Sequence, residues 1–255
     1  MRIERESTSY IAPKGAMVMI VFLRKRWILP CAVLLLAAVT VVSVLQVGKS
    51  AAVSAQGELS LPAKPIFVLD AGHGGADGGT SSSSGILESD INLAITLRMR
   101  DLFALLGQPT VLTRADENSL ADDPSATIRQ QKVSDTKNRV ALINSIENAR
   151  LISIHQNALA GHPSVHGAQV FYNAVGDSSA LAETMQQELN QTVNIGNEKG
   201  KKPISKDIYL MSHVTCPAVL VECGFLSNAA ESEVLQTPSY QMLLAMTICC
   251  AALKR

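Results

Sequence analysis

Four side chains spread along the sequence have the types that metal-assisted hydrolysis needs: His73, Glu88, His155 and Glu222. His73 lies in Asp70-Ala71-Gly72-His73-Gly74-Gly75, directly after the apolar run Ile66 to Leu69. A strand ending in such a turn exposes the imidazole at a cleft rim, and the glycines remove side-chain bulk around it. His155 follows a second apolar run, Leu151-Ile152-Ser153-Ile154, and Glu88 stands just ahead of a helical stripe. Two imidazoles and one carboxylate can hold zinc while leaving a coordination position for water. Glu222 ends the run Ala218-Val219-Leu220-Val221, where a carboxylate fits only if it reaches a polar cleft. Beside an activated water it could accept the first proton and later deliver it to a departing amine. Plainer roles compete: a structural turn around His73, and Glu88 as a charge that stabilises a helix start.

The elements that must position these groups follow from periodicity. Ile91, Ile95, Met99, Leu102 and Leu106 recur at helical spacing, Gly107-Gln108-Pro109 ends that pattern, and Thr110 to Thr113 reads as a strand. Asn138 to Asn148 reads as a helix and Ala168 to Tyr172 as a strand, while Leu181, Met185 and Leu189 share one helical face. Tyr240 to Leu253 reads as a terminal helix packed on the sheet. Ser119 to Gln131 and Gly196 to Lys206 read as polar loops, the second leading into a short strand around Ile208 to Met211. The alternation predicts an α/β fold: a single layered domain with a mixed or mostly parallel central sheet and flanking helices. Five cysteines without a CxxC pattern predict buried thiols rather than a disulfide framework.

The 255 residues suit one sizeable core plus an appendage. Twenty-two basic and twenty-two acidic residues cancel, so the basic bias of a nucleic-acid binder is absent. The cancellation hides an asymmetry. Residues 1–26 hold six basic and two acidic groups, a net of +4, which leaves −4 for the remainder. Residues 27–47, Trp27 to Val47, carry no formal charge and are long enough to cross a bilayer once. The basic flank Arg24-Lys25-Arg26 predicts a cytoplasmic N-terminus and an outward-facing remainder. Val53-Ser54-Ala55 has the small-residue spacing of a signal-peptidase site, so retained anchor and cleaved signal peptide both stand. The expected organisation is a basic segment (1–26), a hydrophobic signal anchor or signal peptide (27–47), a linker (48–63) and a catalytic domain (64–255).

Taken together, the motifs resemble the zinc-dependent N-acetylmuramoyl-L-alanine amidases of the Amidase_3 type over roughly Pro65 to Leu253. The resemblance is carried by Asp70 to Gly75, Glu88, Thr113-Arg114, Arg139 with Asn144, Ser153-Ile154-His155-Gln156-Asn157, and Gly167 to Tyr172. It continues through Cys216 to Asn228, closely followed by Glu231. By that resemblance His73, Glu88 and His155 would ligate Zn²⁺ and Glu222 would be the general acid/base. The implied reaction is hydrolysis of the amide between the lactyl group of N-acetylmuramic acid and L-alanine in peptidoglycan, without an acyl-enzyme.

Within that family the chain looks most like the germination-specific, spore-cortex type. This implies removal of peptides before a separate deacetylase acts in muramic-δ-lactam formation, and an accessory sporulation lipoprotein as partner. The expected location is the outer face of the cytoplasmic membrane or the forespore intermembrane space, or secretion if the N-terminal segment is cleaved. A general vegetative cell-wall amidase and a noncatalytic, membrane-tethered peptidoglycan-binding protein are the competing readings. Ser227 lacks a nucleophile-elbow motif, a Cys223–His155 pair would leave His73 and Glu88 without a role, and His162, His166 and His213 stay outside the ligand set.

Overall fold

The computed structural model describes residues 64–254; the expected basic segment, apolar span and linker lie outside the described residues. Among the described residues, no helix is long and apolar enough to cross a membrane. Six strands form one sheet: β1 (Ile66–Ala71), β2 (Thr110–Leu112), β3 (Ala149–Asn157), β4 (Gln169–Tyr172), β5 (Lys202–Pro203) and β6 (Ala218–Phe225). Their order across the sheet is β2-β1-β3-β6-β4-β5. Strands β2, β1, β3 and β6 are mutually parallel, β4 runs antiparallel to β6, and β5 pairs parallel with β4, so the sheet is mixed.

Strand alternation sorts side chains between two faces. Phe67, Leu69, Ile152, Ile154, Val219 and Val221 enter the larger core under α1 (Glu88–Leu105), α3 (Ser178–Thr192) and α6 (Pro238–Leu253). Val68, Leu151 and Leu220 enter a smaller core on the other face, under α2 (Ile128–Asn144) and α4 (Tyr209–His213). A short helix, α5 (Ala229–Leu235), follows β6. The parity matters for chemistry. His155 shares its side of β3 with Leu151, and Glu222 shares its side of β6 with Leu220, so both project toward the thinly covered α2/α4 face.

Three expected boundaries move. The helix expected from Asn138 starts at Ile128, because Thr127 and Gln130 form a reciprocal capping box, and it ends at Asn144. The run Ile208 to Met211 is not a strand; Tyr209–His213 is a short helix, since four apolar residues carry too few periods to separate the two states. Strands β3 and β6 extend to Asn157 and Phe225, which puts His155 and Glu222 within paired strand rather than past its end. Among the described residues the four cysteines, Cys216, Cys223, Cys249 and Cys250, are free.

Candidate metal centre

His73, Glu88 and His155 converge at the carboxyl ends of the parallel strands, with one ligand atom of each inside a 4.8 Å set. Each arrives by a different route. His73 follows β1 with φ of 64°, a left-handed conformation that costs a non-glycine residue energy and aims its ring back over the sheet. Glu88 is the first residue of α1, and its chain is held there by backbone bonds from Glu88 N to Thr80 O and Ser89 N to Gly78 O. His155 lies on β3, directly opposite Glu222 on β6.

Donor directions are set by neighbours. His73 Nδ1 lies 2.8 Å from Asp77 Oδ2, which turns Nε2 toward Glu88 Oε1 at 3.3 Å. His155 presents Nδ1 to the same oxygen at 3.0 Å, and its ring lies so close to Gly72 that a Cβ there would clash with Cε1 and Nε2. Glycine at 72 is therefore a packing requirement. Glu88 accepts from the amides of Gln156 (3.0 Å) and Thr80 (2.9 Å), which fixes both of its oxygens. Burial opposes ionisation of Glu88, but the two imidazoles hold its carboxyl well below the usual range. Burial likewise pulls His73 down, and its bonds to Asp77 and Glu88 outweigh this and push it up to about 9.

Beneath the centre lies a buried ionic knot. Arg139 donates to Asp70 Oδ1 (2.6 Å), to Asp135 Oδ2 (2.9 Å), and to the backbone oxygens of Ala71 (2.8 Å) and His73 (2.6 Å). Asp70 also accepts from Ser153 (2.6 Å) and Thr113 (2.7 Å), so the first turn after β1 is tied to β2, β3 and α2 at once. Arg114 donates to the backbone oxygens of Ala71, Gly72 and Ser89. Both arginines thus have the structural hydrogen-bonding role expected of permanently charged groups.

A cleft of about 340 Å³ opens beside the three donors, lined by Glu222 and Leu220 on the sheet, Lys132, Thr136 and Arg139 on α2, and Asp207 to Leu210 around the start of α4. Glu222 Oε2 is enclosed and meets no hydrogen-bonding partner among the described residues. Its burial, joined by the nearby charge of Glu88, pushes the carboxyl up to about 7 against the opposing pull of the two imidazoles. An enclosed, partnerless carboxylate oxygen beside two imidazoles and a second carboxylate, at the edge of a cleft, suits a hydrated divalent ion. The donor set fits zinc in type and number and leaves room for a water.

Asp77, Lys132 and Asn92 were not singled out in the sequence. Asp77 stands four residues after His73 in a glycine-rich loop and is bonded by Lys132 at 3.0 Å, a carboxylate–imidazole pairing common behind metal-binding histidines. Asn92, one turn into α1, donates to Gly72 O and accepts from Gln156. Glu231 accepts from the amides of Gly167 and Phe225 and so ties α5 to β4 and β6. The other nucleophiles fall away. Cys223 belongs to the larger core on the opposite face, where burial pushes its thiol far up, and the Ser227 hydroxyl accepts from Leu159 N. His213 stacks on Tyr209 and His166 bonds Ser164 O, both outside the donor cluster.

This fold and this donor set define a metallohydrolase of the layered α/β kind. The family model for N-acetylmuramoyl-L-alanine amidases, Amidase_3, matches residues 67–254, and the chain belongs to that family. It is 35% identical over 183 residues to the germination-specific N-acetylmuramoyl-L-alanine amidase of Bacillus subtilis, covering 72% of this chain and 76% of that protein. Among solved structures it resembles the CwlD amidase of Clostridioides difficile, determined in complex with the GerS lipoprotein: 39% identity, TM-score 0.70, 74% of this chain and 96% of that one. The catalytic domain of CwlV, an amidase from Bacillus (Paenibacillus) polymyxa, matches at 27% identity with a TM-score of 0.62, over 73% and 95% of the two chains.

Proposed function

We propose that His73, Glu88 and His155 hold Zn²⁺ and that Glu222 is the general acid/base for hydrolysis of the amide joining the lactyl group of N-acetylmuramic acid to L-alanine in peptidoglycan. When bound, zinc supplies polarisation of the amide carbonyl and makes a water acidic enough to attack near neutral pH. The chain's own groups do the rest. Asp77 holds the His73 ring with Nε2 inward, and the Gln156 and Thr80 amides hold the Glu88 carboxylate. Glu222 takes the proton from the attacking water and returns one to the alanine nitrogen as the carbon–nitrogen bond breaks. Burial favours the protonated form of this carboxyl, which suits a group that must both accept a proton and return it. The observation that carries this reading is the enclosed, unpartnered Glu222 oxygen on the strand next to His155.

The cellular role we infer is cortex maturation: stripping peptides from muramic acid ahead of a separate deacetylase that leads to muramic-δ-lactam. The similarity to a germination-specific amidase supports it. An accessory lipoprotein is a fitting partner, in parallel with the C. difficile relative solved with one. Residues 27–47 would tether the domain to the outer face of the cytoplasmic membrane or in the forespore intermembrane space, or be removed after Ala55.

Digestion of purified peptidoglycan by zinc-loaded protein, followed by mass mapping, tests the chemistry. Free peptide stems with an intact glycan are expected, and chelation should stop their release; intact stems despite verified zinc loading would defeat the reading. Loss of muramic-δ-lactam in spores lacking the gene tests the cellular role, and unchanged cortex would assign the enzyme to the vegetative wall.

A further inference from the structure

The cleft continues past the metal donors onto the outer surface of α2. A neighbouring groove of about 260 Å³ is lined by Lys132, Val133, Thr136, Lys137 and Tyr209, and it shares Lys132, Thr136 and Tyr209 with the catalytic cleft. Val133 and Thr136 form its floor on α2, with the two lysines on either flank. Tyr209 forms the far wall, and its ring is backed by His213 in a stacked pair with centroids 3.8 Å apart. Val133 and Tyr209 remain 51% and 41% exposed, which leaves apolar surface open at the mouth of a catalytic cleft.

Charge selects what could lie there. Lys132 is bonded to Asp77, but Lys137 is exposed and makes no ion pair among the described residues. Of the acids nearby, Asp135 is paired with Arg139, while Asp122 and Asp207 keep their charge but form no ion pair with Lys137. The groove therefore offers one unpaired ammonium, Lys137, beside an apolar floor and an aromatic wall. Of the two arms of the substrate, the glycan around the scissile amide is neutral at its sugars, whereas the peptide stem carries free carboxylates.

Resting on the amidase reading above, we propose that Lys137, with Tyr209 and Val133, forms a stem-peptide subsite that selects stems whose residue after L-alanine, a γ-linked glutamate, carries a free α-carboxylate. The peptide leaves the scissile amide, passes between Thr136 and Tyr209, and sets its carboxylate against the Lys137 ammonium. Lys137 is a specificity residue in this scheme and touches none of the reacting atoms.

The test uses full-length, zinc-loaded protein and two muramoyl peptides that differ only at the α-carboxyl of the γ-linked glutamate after L-alanine, free in one (isoglutamate) and amidated in the other (isoglutamine). Wild type should show the lower KM on the acidic stem. Lys137→Ala should raise KM on that stem by about three- to fivefold, the scale of one partly exposed ion pair, with kcat unchanged and no effect on the amidated stem. Lys137→Glu should raise it further. Arg100→Ala removes an equal charge from α1, on the other side of the sheet, and should change neither substrate. Zinc content and thermal melting of each variant establish folding independently. Equal effects of Lys137→Ala on both stems, or none on either, would overturn the subsite while leaving amide hydrolysis standing. A groove that takes glycan would show KM falling with glycan length and silence at Lys137, also overturning it. Wild type that cleaves neither compound would remove the amidase reading and this inference together.

Discussion

Replacing Glu222 by Gln should cost activity and add stability, and the two effects have one cause. The side chain keeps its size and loses its charge. As general acid/base its removal should lower kcat by about 10²- to 10⁴-fold. In the metal-free protein, burial and Glu88 raise the Glu222 carboxyl from 4.5 to about 7. A carboxyl raised on folding binds its proton more tightly in the native state, so stability falls as pH climbs from about 4.5 to 7 and the full cost is present above that. That cost is about 3 kcal/mol at pH 8, and Gln does not incur it. The elevated His73 imidazole also favours low pH, its contribution being lost as pH rises through about 9, but it is common to both proteins. Urea unfolding of chelated wild type and Glu222→Gln at pH 4.5 and pH 8 reads the difference. The variant's midpoint should exceed wild type by about 1 M or more at pH 8, with near coincidence at pH 4.5. Equal midpoints at pH 8 would show that this carboxylate is not strained by burial, and turnover within threefold of wild type that it is not the proton carrier.

Three further outcomes follow from the geometry. Asp77→Asn removes the carboxylate that orients His73 and should weaken zinc binding by about 10- to 100-fold in a competition assay with a chelating dye, with the fold intact by circular dichroism. Because His73 sits at about 9 without metal, zinc binding at pH 7 should release about one proton from it, seen calorimetrically as a heat that scales with buffer ionisation enthalpy and fades above pH 9. Arg139→Met leaves the Asp70 carboxylate buried with no cation against it and should cost about 3 to 5 kcal/mol in urea unfolding, most of it recovered when Asp70→Asn is added.

The donors could be read from the sequence because their local contexts are strong: a histidine in a glycine turn after an apolar run, a second histidine on another such run, and a glutamate interrupting a third. Their convergence was implied by family resemblance and not by any local signal, since residues 73, 88 and 155 meet only when β1 and β3 pair in register. Asp77 and Lys132 escaped for the same reason, one being a loop acid like many others and the other lying 55 residues away. Helix α2 was misplaced although Thr127 and Gln130 had the right spacing for a capping box, because Asp122, Asp123 and Pro124 made the whole stretch look like a connection. The short helix at Tyr209 could not have been recognised from four apolar residues, and its position is what gives the cleft its second wall.

The arrangement of charge explains how such a site exists before any ion arrives. The mutual contacts of the three donors all run through one Glu88 oxygen, which by itself does not fix where the two rings stand. Here the constraint comes from below. His73 is kept in a left-handed conformation by Arg139, which grips the His73 carbonyl, the Ala71 carbonyl and Asp70 together. Ser153, two residues before His155, bonds the same Asp70, so the turn bearing one ligand and the strand bearing another share a single buried anion. A guanidinium bonded to two carboxylates and two carbonyl oxygens keeps its proton and is held in place, so it ties the turn that bears His73 to the sheet that bears His155. The proposed division of labour follows from this: with the three donors held by Asp70 and Arg139, Glu222 would stay outside the ligand set and carry the proton.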